Sequence, residues 1–260
     1  MTITRREFLQ IGSAITLSSA IGSSAVNPVL GLIAPPADYP IPDEAITLYA
    51  SRVQFKVFGL GLPAMTPEGY DSVIDKMTPA AVKLAKEGAN AIVLFGTSMT
   101  FYKGAKFNEE LIAQARKATG LPTTSMSTAV IDGLRAAGGK RIAVATAYND
   151  EVNRRLKSFL GDSGFEVLAL KGLGLESING PKAVPQSDLQ KFSASVFEMA
   201  PKADALLVSC GGLRTLEIIQ PLENICKVPV VSSTPHALWA GVRLLRVSSK
   251  VQGFGKVLAM

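Results

Sequence analysis

Short apolar runs alternate with longer amphipathic stretches along almost the whole chain. The segments "VLGLIA" (29–34), "QFKVFG" (54–59), "AIVLF" (91–95), "RIAVAT" (141–146), "FEVLAL" (165–170), "ALLVS" (205–209) and "VPVVSS" (228–233) predict strands. Between them, "TPEGYDSVIDKMTPAAVKLAKEG" and "NDEVNRRLKSFLGDSG" carry helical spacing, helix-start residues and glycine stops. That rhythm predicts an α/β fold of parallel sheets covered by helices on both faces. Ligands of such sheets sit outside the carboxyl ends of the strands.

Two stretches echo one another. "AIVLFGTSM" (91–99) and "ALLVSCGGL" (205–213) each send a buried strand into a loop of small residues and then a helix. Their separation is close to half the chain, which predicts two related lobes facing each other across a cleft. The first lobe is expected over 26–125 plus 232–260, with "PHALWAGVRLLR" returning to it, and the second over 126–231.

The first 25 residues break the rhythm. Arg5 and Arg6 precede a mildly apolar run that ends in Ser23, Ser24 and Ala25, the order of a charged region, a short apolar region and a cleavage site. Because Glu7, Phe8 and Leu9 follow the arginine pair directly, the segment resembles a twin-arginine export signal and predicts a periplasmic location. Its removal leaves 25 basic against 20 acidic side chains, a net charge of +5 with no dense basic face. Such a chain suits a small anionic ligand better than nucleic acid. No later segment offers about 18 unbroken apolar residues, so no membrane span is expected, and the protein is expected to be a monomer.

The chemistry available is limited by one histidine, His236, and two cysteines, Cys210 and Cys226. Their spacing matches no metal motif, and no G-x-S-x-G, G-x-G-x-x-G or P-loop occurs in a strand-to-helix setting. Neither a metal nor a nucleotide cofactor is expected. His236 reads as a helix-start residue near the cleft or surface. The reactive inventory is then a thiol, hydroxyls and backbone amides.

Cys210 falls where a strand ends, with Gly211 and Gly212 opening the way to a helix. Three readings fit this place: a small buried core residue, half of a disulfide with Cys226, or a thiol presented at a strand end. A continuous helix over 213–226 would hold the two sulfurs about 20 Å apart, although Pro221 offers a place for it to break. As a presented thiol, Cys210 would have its pKa lowered by the surrounding N–H groups, which also bind anions. Thr97 and Ser98 on the echoing loop are placed to clasp a carboxylate from the far side, or simply to cap a helix.

At this point the sequence resembles the aspartate/glutamate racemase superfamily, and within it the arylmalonate decarboxylase branch. The resemblance rests on "GLIAPP" (31–36), "GLGLPAMTPEGYD" (59–71), "GTSMTFYKGAKFN" (96–108), "GLPTTSMSTAVIDGLRAAG" (120–138), "ATAYNDEVN" (145–153), "SCGGL" (209–213) and "VPVVSSTP" (228–235). It implies two pseudo-symmetric, Rossmann-like or flavodoxin-like lobes with the active site between them. Racemases and isomerases of the superfamily carry one cysteine per lobe, and here Gly96 stands where the first lobe's cysteine would be. That departure favours decarboxylation over a two-base racemase or cis-trans isomerase of a small dicarboxylate.

The resemblance further implies that a disubstituted malonate loses carbon dioxide without a cofactor and that Cys210 protonates the resulting enediolate. One carboxylate would be held by Thr97, Ser98, Tyr148 and the amides around Cys210 and Gly211. The other would lie against Pro35, Leu62, Met65, Tyr70 and Ile178. A periplasmic carboxylate-binding protein is the reading from outside the enzymes.

Overall fold

The structure, a computed structural model, describes residues 27–260. The expected export segment at 1–25 lies outside the described residues. From there the chain runs β1 (Val29–Ala34), α1 (Asp43–Tyr49), β2 (Gln54–Gly59), α2 (Pro67–Asp71), α3 (Met77–Lys86), β3 (Ala91–Leu94), α4 (Thr97–Phe101), α5 (Ala105–Thr119), β4 (Thr123–Ser125) and α6 (Met126–Ala136). It continues β5 (Arg141–Thr146), α7 (Asp150–Asp162), β6 (Glu166–Gly172), α8 (Gly180–Ala183), α9 (Gln186–Glu198), β7 (Ala205–Ser209), α10 (Leu216–Cys226), β8 (Val230–Ser232) and α11 (Ser233–Leu244).

The strands form two four-stranded sheets, ordered β2-β1-β3-β4 and β6-β5-β7-β8. Every pairing is parallel. Both sheets therefore follow the strand order of flavodoxin-like doubly wound folds, and each is the other's counterpart strand for strand. The inner strands β3 and β7 are buried at every position, as their unbroken apolar runs require when helices cover both faces. The outer strands β2 and β6 are only half-buried, and each carries a lysine, Lys56 and Lys171, that discourages pairing with another chain.

Helix ends follow local chemistry. The Ser125 hydroxyl accepts from the Thr128 amide at 3.0 Å to open α6, and the Asn149 side chain accepts from Val152 at 3.0 Å to open α7. At the far end of α5, Gly120 takes the left-handed conformation that closes a helix. The second lobe's last strand is shorter than expected, because it ends at Ser232 and a helix already begins at Ser233, with Pro235 tolerated in its first turn. The helical spacing over 66–88 is split into α2, a short 3₁₀ turn at Ile74–Lys76 and α3. The strand β4, only three residues of threonine and serine, has no apolar run to reveal it.

Helix α11 leaves the second sheet and lies on the first. A Cβ on its Gly241 would come within 2.7 Å of both Leu30 and Val93, so only glycine lets the helix sit this close to β1 and β3. On its other side it packs against α6, where Gly133 leaves room for the His236 ring. No helix among the described residues is long and apolar enough to cross a membrane.

Candidate active site

Strands β1, β3 and β7 all end at one cavity of about 190 Å³ between the two sheets. The first lobe lines it with the segment after β1, from Pro35 through Glu44, with Leu62 and Met65, and with Phe95, Gly96, Thr97 and Ser98 after β3. The second lobe contributes Ile178, Pro181 and the Cys210–Arg214 turn after β7. The two rims are joined by a backbone bond from the Met65 amide to the Glu176 carbonyl at 3.0 Å. Nine of the residues expected at the site line the cavity: Pro35, Leu62, Met65, Gly96, Thr97, Ser98, Ile178, Cys210 and Gly211.

Tyr70 and Tyr148 are buried just behind that lining rather than forming it. The Tyr148 hydroxyl lies 3.3 Å from the Ser209 hydroxyl, and it feels the Cys210 sulfur and the Thr97 side chain. The Tyr70 hydroxyl has no hydrogen-bond partner, and Ser98 and Cys210 are among the groups that bias its ionisation. Burial keeps both phenols protonated, so each carries a proton it can turn toward an entering anion.

Cys210 is 5% exposed, and what exposure it has opens on this cavity. Burial pushes its thiol up to about 11, against the opposing pull of the Gly212 and Leu213 amides and the Tyr148 hydroxyl. The expectation of a lowered thiol pKa is therefore overturned, because desolvation of a thiolate outweighs the nearby N–H dipoles. The consequence is a thiol that stays neutral near pH 7 and keeps a proton it can give. Cys226, the last residue of α10, is also a free thiol, and it does not line the cavity. Pro221 does not break α10, which holds Cys226 away at the far end of an unbroken helix, so no bridge forms.

His236 requires a correction of place. It is fully buried within α11 instead of standing near the cleft or surface, because Gly133 of α6 makes a slot for its ring. Burial pushes it down to about 4, which keeps the imidazole neutral. It does not line the cavity.

Gly96 has a steric reason of its own. A Cβ there would come within 2.8 Å of the Pro35 ring and 2.9 Å of the Met99 side chain. On the second lobe, a Cβ at Gly211 would press on the Met126 sulfur at 3.0 Å. Both glycines keep the cavity floor at backbone level, where a ligand meets main-chain groups. The wall is mixed in character: hydroxyls and amides at Thr97, Ser98 and Gly211, apolar surface at Pro35, Leu62, Met65 and Ile178. Among the described residues no cluster of three or more His, Cys, Asp or Glu side chains is placed to hold a metal.

Three residues escape the sequence reading. Tyr39 and Phe95 form an aromatic wall, with ring centroids 6.1 Å apart and planes at 53°. A usable signal existed for Tyr39, since "PPADYPIP" directly follows the carboxyl end of β1. Ser233 is the third, hidden inside a stretch that reads as strand. Its hydroxyl accepts from the Thr97 hydroxyl at 2.9 Å and from the Cys210 amide at 3.1 Å.

Comparison with known proteins agrees with this architecture. The arylmalonate decarboxylase family profile matches residues 30–258. A curated arylmalonate decarboxylase from Bordetella bronchiseptica is 44% identical over 234 residues, which cover 90% of this chain and 97% of that protein. A solved arylmalonate decarboxylase, a Gly-to-Cys and Cys-to-Ser variant in its liganded form, superposes with a TM-score of 0.86 at 42% identity. That alignment covers 89% of this chain and 98% of the other. The maleate isomerase of Pseudomonas putida S16 shares the fold, with a TM-score of 0.84 at 21% identity over 90% of this chain and 99% of its own. With the family's profile matching residues 30–258 and 44% identity to a curated member over 90% of the sequence, the chain belongs to the arylmalonate decarboxylase family.

Proposed function

We propose that this chain is a carboxy-lyase that removes one carboxylate from a disubstituted arylmalonate, without a cofactor, and that Cys210 protonates the resulting enediolate on one face. The observation that carries the reading is a protonated thiol at a cavity whose lining combines hydroxyl and amide donors with apolar side chains. The retained carboxylate is held by Thr97 and Ser98, with Tyr148 behind them and Gly211 opposite. The second carboxylate is pressed against Leu62, Met65, Ile178 and Pro35, where an unpaired anion is destabilised and neutral carbon dioxide is not. As the C–C bond breaks, its electron pair moves into the retained carboxylate to give the enediolate, and the donors from both loops meet the added charge. One such donor is typically worth about 3 kcal/mol in the transition state.

The carbanion carbon then takes the proton from the Cys210 sulfur, and solvent restores the thiol. Since the donor sits on one face only, a single enantiomer of the monoacid is the product. A two-base isomerase needs a second acid or base facing the first, and Gly96 supplies no side chain there. The test is carbon dioxide release from a disubstituted phenylmalonate by protein dialysed against a strong chelator, with no additions. Turnover is expected, and loss of activity that a metal or organic cofactor restores would refute the cofactor-free step. Ligand binding with no turnover would favour a binding protein.

A further inference from the structure

The two half-sites come from different lobes, so something must set their spacing. Thr97 opens α4 at the end of β3, and Cys210 ends β7 in the other sheet. Ser233 is the first residue of α11, the helix that leaves the second sheet and lies on the first. Its hydroxyl oxygen accepts from Thr97 and from the Cys210 amide, and the side chain is fully buried. The neighbouring Thr234 hydroxyl donates to the Gly211 carbonyl at 3.0 Å, so the start of α11 also grips the next residue of the Cys210 turn.

Resting on the decarboxylase reading, we infer that Ser233 is a positioning residue that locks the carboxylate-binding hydroxyl of one lobe to the proton-donating turn of the other. A hydroxyl has one proton and two lone pairs. The Thr97 proton is donated to Ser233. A carboxylate is acceptor-only, so its arrival turns the Thr97 O–H toward the ligand, and the Ser233 O–H then donates back to Thr97 while still accepting from the Cys210 amide. The chain Ser233 to Thr97 to carboxylate strengthens the Thr97 bond as charge builds up on the enediolate. The same oxygen fixes the Cys210 backbone, and through it the face from which the thiol approaches.

The test compares Ser233→Ala with Thr215→Val. The latter removes a neighbouring buried bond, from Thr215 to Ser232 at 3.0 Å, that touches neither Thr97 nor the Cys210 amide. Ser233→Ala is expected to lower kcat about 10- to 100-fold with KM changed far less, and to lower the enantiomeric purity of the product. Thr215→Val is expected to keep the wild-type kcat and enantiomeric purity. If Ser233→Ala does not fold, Ser233→Cys, a weaker donor and acceptor of similar shape, is expected to show the same losses to a smaller degree. Wild-type kcat and purity in a folded Ser233 variant, or equal losses in Thr215→Val, would overturn the inference.

Hydrogen exchange of the Cys210 amide in the ligand-free proteins separates this claim from the proposed activity. Faster exchange in the Ser233 variant alone supports the tie even if wild type decarboxylates no malonate, and unchanged exchange refutes it whatever the activity.

Discussion

If the acting group is a neutral thiol, raising the pH should leave turnover intact well past the point where an ordinary cysteine has ionised. Burial places the Cys210 value at about 11, against 9.0 for an unperturbed thiol. At pH 10 those two values leave ~91% and ~9% of the thiol protonated, a tenfold difference in the competent form. The assay is the initial rate of carbon dioxide release at saturating arylmalonate from pH 6 to 11, since kcat reports the group in the complex. Turnover is expected to hold to about pH 10 and to fall only as pH climbs through 11. A bound dianion beside the sulfur moves this limb further up, never down.

The same thiol makes folding stability fall as pH rises. The folded-state value is raised, so the contribution of this thiol is fully present below the ordinary thiol range and is lost as pH rises through 11, up to about 3 kcal/mol in all. Circular dichroism over the same range tells unfolding from ionisation. A descending limb near pH 8 to 9 in protein that is still folded would refute the neutral-donor reasoning.

Other consequences are accessible by substitution. Met65→Lys puts a cation in the apolar wall beside the departing carboxylate; tighter substrate binding and a kcat lowered by about 10- to 100-fold are expected in steady-state kinetics, because the ground state gains a partner that carbon dioxide does not use. Tyr39→Ala removes half of the Tyr39–Phe95 wall, and the preference for aryl over alkyl malonates, read as a ratio of kcat/KM values, is expected to fall about 3- to 10-fold.

Much of the architecture was legible because the pattern that encodes it is local. Seven apolar runs correspond to strands, and the echo between 91–99 and 205–213 marks β3 and β7, whose ends do meet at the cavity. β4 was invisible because "TTS" is polar, yet it is buried, and its Ser125 caps the helix that follows. The start of α11 is hidden for a related reason: "VPVVSS" reads as a strand on apolar pattern alone, whereas the helix already begins at Ser233. Ser233 was lost with it.

Thr97, Ser98, Cys210 and Gly211 were readable from loop chemistry and the apolar wall only from the resemblance, while the electrostatics of the site were readable from neither. N–H groups beside Cys210 argue for a lowered pKa in sequence. How much water the fold leaves at the sulfur decides the sign, and that emerges only when both lobes close around it. The same holds for His236, whose place in the core depends on Gly133, about a hundred residues earlier, leaving it a slot.

The most direct measurement is decarboxylation of an α-methyl phenylmalonate in deuterium oxide by wild type and Cys210→Ala. Wild type is expected to place one deuteron at the α-carbon of a single enantiomer, and Cys210→Ala to lose turnover by orders of magnitude. A Cys210→Ala protein that keeps both rate and handedness would contradict the account.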